Sequence, residues 1–135
     1  MPEGIHRATE TEVVSRFAIG SARRQWLGER LRDLLGMAKA TGKMEQVFLW
    51  GSFVTSKESP NDLDVLLVMA ADFDLDQLPG ERRVLFDYAQ ARIHFHADVF
   101  WTKVSIGQET LGLWLDTYQV GKDFKRRGIV EVIFS

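Results

Sequence analysis

The stretch from Phe48 to Met69, FLWGSFVTSKESPNDLDVLLVM, constrains the fold more than any other part of the chain. An apolar run, Val47 to Trp50, stops abruptly at Gly51-Ser52, and a polar loop follows from Thr55 to Asn61. Asp62 and Asp64 then flank Leu63, and the apolar run Val65 to Met69 begins at once. Short apolar runs bounded by turn residues predict strands, and the absence of polar alternation predicts burial on both faces. Strand side chains repeat with period two, so Asp62 and Asp64 are expected on one face. Two carboxylates on one face repel unless a positive charge lies between them, and a hard divalent cation prefers such oxygen ligands. Gly51 leaves room for close backbone approach. Ser52 is placed to cap or open a helical turn whose free N–H groups hold an anion. An anion cradle beside paired carboxylates points to a metal–nucleotide site.

Upstream, Met1 to Ala8 reads as an extended arm. Thr9 with Glu12 has the spacing of a capping box, followed by Val13, Val14, Phe17 and Ala18 as an apolar stripe. Ser21 caps a second predicted helix with Trp26, Leu27, Leu31, Leu34, Leu35 and Ala38 on one face. Arg23, Arg24, Glu29, Arg30 and Asp33 are expected on the other, and Gly42 near the end. Gln46 to Trp50 and Leu63 to Met69 are the first two predicted strands. Pro79-Gly80 ends an acidic loop, and Glu81 to Ala91 is expected to be helical with Val84, Leu85, Tyr88 and Ala89 inward. Arg92 to Trp101 alternates well enough for a third strand. Gln108 to about Lys122 predicts a fourth helix, inward at Leu111, Leu113, Trp114, Leu115 and Tyr118, and Gly128 to Phe134 a last β segment.

On the third predicted strand His94, His96 and Asp98 are spaced two apart and would share a face. The competing structural role for Asp98 is an ion pair with an arginine at a strand end, and for the histidines ordinary hydrogen bonding or orientation of Asp98. Asn61-Asp62 after Pro60 is also turn chemistry. Asp64 is harder to explain that way, since an unpaired charge opening a buried strand is costly. Asp72, Asp74 and Asp76 look like a solvated loop. The basic run Lys122, Lys125, Arg126, Arg127 suits either a helix C-terminus or contact with phosphates or an acidic partner. Trp50 is placed to border a nucleotide base or to sit in the core.

A chain of 135 residues suits one domain, residues 1–135, around one core. The formal net charge of −2 provides no global basic field, so nucleic acid is not indicated as a partner. The absence of cysteine removes disulfides, thiol nucleophiles and zinc–thiolate sites, which suits the cytoplasm. No apolar run approaches the ~18 residues of a membrane span.

Gly51-Ser52, followed eleven positions after the glycine by Asp62-Leu63-Asp64, resembles the signature of the nucleotidyltransferase superfamily related to DNA polymerase beta. The chain is most similar to the minimal nucleotidyltransferases, and Gly51-Ser52-Phe53-Val54-Thr55 with Gly4-Ile5-His6 resembles a group of short bacterial members. The resemblance implies an α+β fold with a short mixed sheet and helices packed mainly on one face. It implies Mg²⁺- or Mn²⁺-dependent transfer of a nucleoside monophosphate from an NTP, such as ATP, to a hydroxyl. Gly51 and Ser52 would bind the nucleotide. Asp62, Asp64 and Asp98 would bind metal and carry catalysis, Asp98 matching the third carboxylate on the next strand. Two metals ~3.5–4 Å apart clamp the attacking and leaving oxygens in such displacements. It further implies a protein partner, a toxin for which this chain is the antitoxin. Phe53-Val54-Thr55 stands where many members carry an arginine or a second glycine. A catalytically inactive, protein-binding module on the same fold is the rival expectation, and small-molecule modification a further one.

Overall fold

A computed structural model describes residues 4–55, 60, 62–118 and 128–134. The basic run at Lys122–Arg127 and the end of the fourth predicted helix lie outside the described residues.

Among the described residues, five strands form one mixed sheet: β1 (Gly4–Thr9), β2 (Met44–Trp50), β3 (Leu63–Met69), β4 (Ala97–Lys103) and β5 (Gly128–Ile133), in the order β1-β5-β2-β3-β4. The pairs β1–β5 and β3–β4 are parallel, and β2 runs antiparallel to both β3 and β5. The expected extended arm is therefore in part a paired edge strand, β1, matched residue for residue to β5. A single strand's sequence does not reveal a partner more than a hundred residues away.

Four α-helices among the described residues, α1 (Glu10–Phe17), α2 (Ala22–Ala40), α3 (Tyr88–Phe95) and α4 (Gln108–Tyr118), cover the sheet unequally. Side chains of α1, α2 and α3 pack with Leu63, Val65, Leu67 and Met69 in the larger core cluster. Leu111 and Leu115 of α4 pack with Phe48, Leu66, Val68 and Ile129 in a smaller cluster. The odd and even positions of β3 thus feed different layers, as a period of two requires, and every residue of β3 except Asp64 is buried. This is the α+β architecture expected from the sequence, with helices mainly on one face. The faces expected on α2 are broken at two residues: Arg24, expected outward, is buried, and Trp26, expected inward, is 37% exposed.

The capping residues act as read. Thr9 Oγ1 accepts from the Glu12 N–H at 3.1 Å, and Glu12 Oε1 accepts from the Thr9 N–H at 3.0 Å, so the capping box is reciprocal. Ser21 Oγ accepts from the Arg24 N–H at 3.1 Å at the start of α2. Gly28 faces Ala18 so closely that a Cβ there would collide, which lets α2 pack against the end of α1.

The region from Gly80 to Trp101 differs from expectation. Gly80–Phe86 is 3₁₀ helix, Asp87 caps a new α-helix through the Gln90 N–H at 3.0 Å, and that helix runs to Phe95. Ala91 and Phe95 are both buried, an i,i+4 pair that anchors one helical face. The alternation from Arg92 to His96 is therefore incidental. His94 lies on α3, and His96 is its C-cap in the left-handed region at φ 53°, ψ 47°. Neither histidine is on a strand, and they share no strand face with Asp98. Tyr88 and Ala89, expected inward, are exposed, as is Leu113 on α4.

Candidate functional site

The ends of β2, β3 and β4 bring the motif halves together. Trp50 pairs with Asp64 across β2–β3, and Asp64 pairs with Asp98 across β3–β4. In-register residues on neighbouring strands point to the same face, so Trp50, Asp64 and Asp98 form one row. Gly51 follows with φ 82°, a conformation that costs an L-residue with a Cβ, and a Cβ there would overlap the Asp64 carboxylate. The glycine of the first motif is thus the floor on which the carboxylate of the second rests.

Ser52 begins a three-residue 3₁₀ turn, Ser52–Val54, rather than an α-helix, and Gly51 holds the capping position with no side-chain cap. The Ser52 carbonyl accepts from the Thr55 N–H at 3.2 Å and from Thr55 Oγ1 at 2.7 Å.

The residue that fixes this turn was hidden in the sequence. Arg24 of α2 is 8% exposed. Its guanidinium donates to the carbonyls of Phe17 at 3.0 Å, Phe53 at 2.8 Å and Thr55 at 2.7 Å. Burial pushes its pKa below the usual arginine value. The fork geometry lets one side chain tie α1, α2 and the turn after Gly51 together. The only available signal was its position three residues after the Ser21 cap.

Asp62 and Asp98 are each held by Arg92, from the last turn of α3. Arg92 Nη2 lies 3.9 Å from Asp62 Oδ2, and Arg92 Nη1 donates to Asp98 Oδ1. The Asp98 bond above all, then the charges of Asp98 and Asp62, raise the pKa of Arg92 above its ordinary value. Tyr88 Oη donates to Asp98 Oδ1 at 2.9 Å, and that bond is the main reason its phenol pKa is raised. On the other side, His96 Nε2 lies 3.1 Å from Asp62 Oδ1 and 2.9 Å from Arg23 Nη2. A ring nitrogen serves one of these at a time: protonated it donates to Asp62, unprotonated it accepts from Arg23. Arg23 also donates from Nε to the Pro60 carbonyl at 3.1 Å, holding the approach to β3.

Among the described residues, no three His, Asp or Glu side chains gather closely enough in this arrangement to hold a metal ion. The donor chemistry of Asp62, Asp64 and Asp98 nevertheless suits a hard cation. The positive charge expected between Asp62 and Asp64 is instead a guanidinium, Arg92, that bridges Asp62 and Asp98. His94 makes no contribution, and His96 acts as a neighbour of Asp62. Asp72 is paired with Lys43 at 2.6 Å, and Asp74 caps the Asp76 N–H at 3.0 Å, so the acidic loop is a separate, local structure.

An aromatic group borders the row. Trp50 and Phe100 stack with centroids 6.2 Å apart, and Tyr88 packs on Phe100 at 5.6 Å. Clefts of about 710 and 720 Å³ lie elsewhere, one between the start of β2 and the end of β5 and one beside β1 and α1. No described helix is long and apolar enough to cross a membrane.

No curated protein matches the sequence. A solved structure from Sulfolobus solfataricus, described as a candidate nucleotidyltransferase, aligns at 13% identity over 71% of this chain and 73% of that one, with a TM-score of 0.33. A superposition that loose has no bearing on the site. The sequence matches a family of unknown function, DUF6932, over residues 1–133, and the chain belongs to that family.

Proposed function

We propose that the chain is a metal-dependent nucleotidyltransferase that transfers a nucleoside monophosphate from an NTP to a hydroxyl. The observation that carries this reading is the row Asp64–Asp98 in register across a parallel strand pair, with the Asp64 carboxylate resting on Gly51. Asp62, Asp64 and Asp98 would hold Mg²⁺ or Mn²⁺ after Arg92 turns aside. Bound there, the metal supplies charge stabilisation for an in-line displacement at the α-phosphate. Asp98 already accepts a hydrogen bond from the Tyr88 phenol, the geometry required of a group that takes a proton from an acceptor hydroxyl. Arg24 holds the turn after Gly51 rigid, so that the backbone meeting the nucleotide does not have to be ordered on binding. The acceptor within this reading is a hydroxyl on a protein partner, with the chain as the antitoxin of a toxin–antitoxin pair.

A second reading, a protein-binding module without catalysis, is favoured by one observation. Arg92 pairs with both Asp62 and Asp98, so these two carboxylates share a cationic partner without metal. Incubation with labelled NTPs, Mg²⁺ or Mn²⁺ and lysate separates the two. Label on a macromolecule supports transfer. No label with any NTP or metal, together with retained partner binding, supports the module.

A further inference from the structure

We infer that Tyr88 is itself an acceptor, and that the chain nucleotidylates its own Tyr88 hydroxyl. The inference rests on the nucleotidyltransferase reading above and names a substrate for that same site.

Three observations converge on Tyr88. Its hydroxyl donates to Asp98 Oδ1 at 2.9 Å, so a carboxylate base is already in hydrogen-bond contact with the proton that must leave. Asp98 is in register with Asp64, which places this hydroxyl beside the carboxylate row and not at a remote surface. The residue is 48% exposed, so the ring edge is open to a bound nucleotide and the product ester has somewhere to go. Its position is also fixed: Tyr88 is the first residue of α3, which Asp87 caps, and its ring packs on Phe100 at 5.6 Å. A hydroxyl held in place beside a base gains the advantage of an intramolecular acceptor over a diffusing one.

The reaction balances without a further reagent beyond a nucleoside triphosphate. Tyr88 Oη attacks the α-phosphorus; the new Oη–P bond forms as the bond from that phosphorus to the bridging oxygen breaks. Pyrophosphate leaves with the bridging oxygen and its electron pair, and the phenolic proton passes to Asp98. A tyrosine phenol is protonated at neutral pH, so proton transfer belongs to the displacement and does not precede it. Arg92, which donates to the same Asp98 oxygen before metal binds, has by then turned aside and leaves that oxygen able to take the proton.

The test is incubation of the full chain with each NTP and Mn²⁺, followed by intact mass and peptide mapping. The expected result is a mass gain of one nucleoside monophosphate on the peptide carrying Tyr88, lost in Tyr88→Phe and in Asp64→Asn. Tyr88→Phe retains the ring that packs on Phe100, and its melting curve shows that the fold is kept. A second readout does not depend on turnover rate. The sequence has two tyrosines, Tyr88 and Tyr118, and an esterified phenol cannot ionise. Alkaline titration of the product should therefore show one fewer ionising phenol than the untreated protein. Label on another residue of the chain, with Tyr88 unmodified, overturns modification of Tyr88 and leaves nucleotidyl transfer standing. No label and no pyrophosphate under any condition overturns both.

Discussion

The carboxylate of Asp64 lies against the Cα of Gly51, so closely that no other residue type fits at position 51 without displacing it. The two halves of the motif, eleven to thirteen residues apart, are therefore a single packed unit. Gly51→Ala meets both this contact and a backbone at φ 82°. Its expected cost is about 1–3 kcal/mol, the scale of a residue held in a sparsely populated backbone region. Urea unfolding measures it. A variant as stable as the wild type would show that Asp64 is free to move aside.

Arg24 is expected to matter to stability more than any arginine on the surface. Arg24→Met retains the apolar stem and leaves the carbonyls of Phe17, Phe53 and Thr55 without their donor. A loss of about 2–3 kcal/mol is expected, in the range for stranding buried polar groups. Arg24→Lys should recover little of it, because an ammonium cannot reproduce the fork. Equilibrium denaturation of the two variants side by side checks both.

Arg92 is the counter-ion of two carboxylates and, under the proposed function, the competitor of the metal. Arg92→Gln removes the charge held between Asp62 and Asp98. Mn²⁺ titration followed by electron paramagnetic resonance should show several-fold tighter binding than in the wild type, with little change in melting, since Arg92 is exposed. Unchanged Mn²⁺ affinity would mean that the guanidinium and the ion do not share a place.

Asp64→Asn conserves volume and removes one negative charge. Nucleotidyl transfer should fall by roughly 10²-fold or more, the scale on which losing one key electrostatic contact acts. Folding should persist, because Asp64 and Asp98 repel each other less. Labelling, melting and partner capture on the same preparation separate a lost reaction from a lost fold.

Tyr88 should titrate above the ~10 of an ordinary tyrosine, because ionisation breaks its hydrogen bond to Asp98 and sets two negative charges side by side. The sign follows: a folded-state pKa above the unfolded one stabilises the fold fully below pH ~10. That contribution is lost as pH rises through the folded value. Ultraviolet titration should show the Tyr88 transition move down toward the ordinary value in Asp98→Asn. An identical curve for both proteins would deny the hydrogen bond.

Local order was legible in the chain. Thr9 with Glu12 and Ser21 with the Arg24 N–H cap their helices as their spacing predicts, because a cap is satisfied within one turn of sequence. The strand Leu63–Met69 is where its apolar run places it, with Asp64 as its one residue not fully buried. What sequence could not decide were contacts between distant segments. Arg92 to His96 alternates like a strand, yet burial of Ala91 and Phe95 on one side wins and the segment is helical, which removes His94 and His96 from any shared face with Asp98. Gly4–Thr9 looks like an arm until β5 supplies its hydrogen-bonding partner. Arg24 looks like a surface charge until three carbonyls from two other segments converge on it. The register that sets Asp64 beside Asp98, and the helix turn that brings Arg92 between Asp62 and Asp98, belong to tertiary packing. Periodicity and caps are encoded within a few residues, whereas register and charge pairing depend on which surfaces the folded sheet and helices bring together.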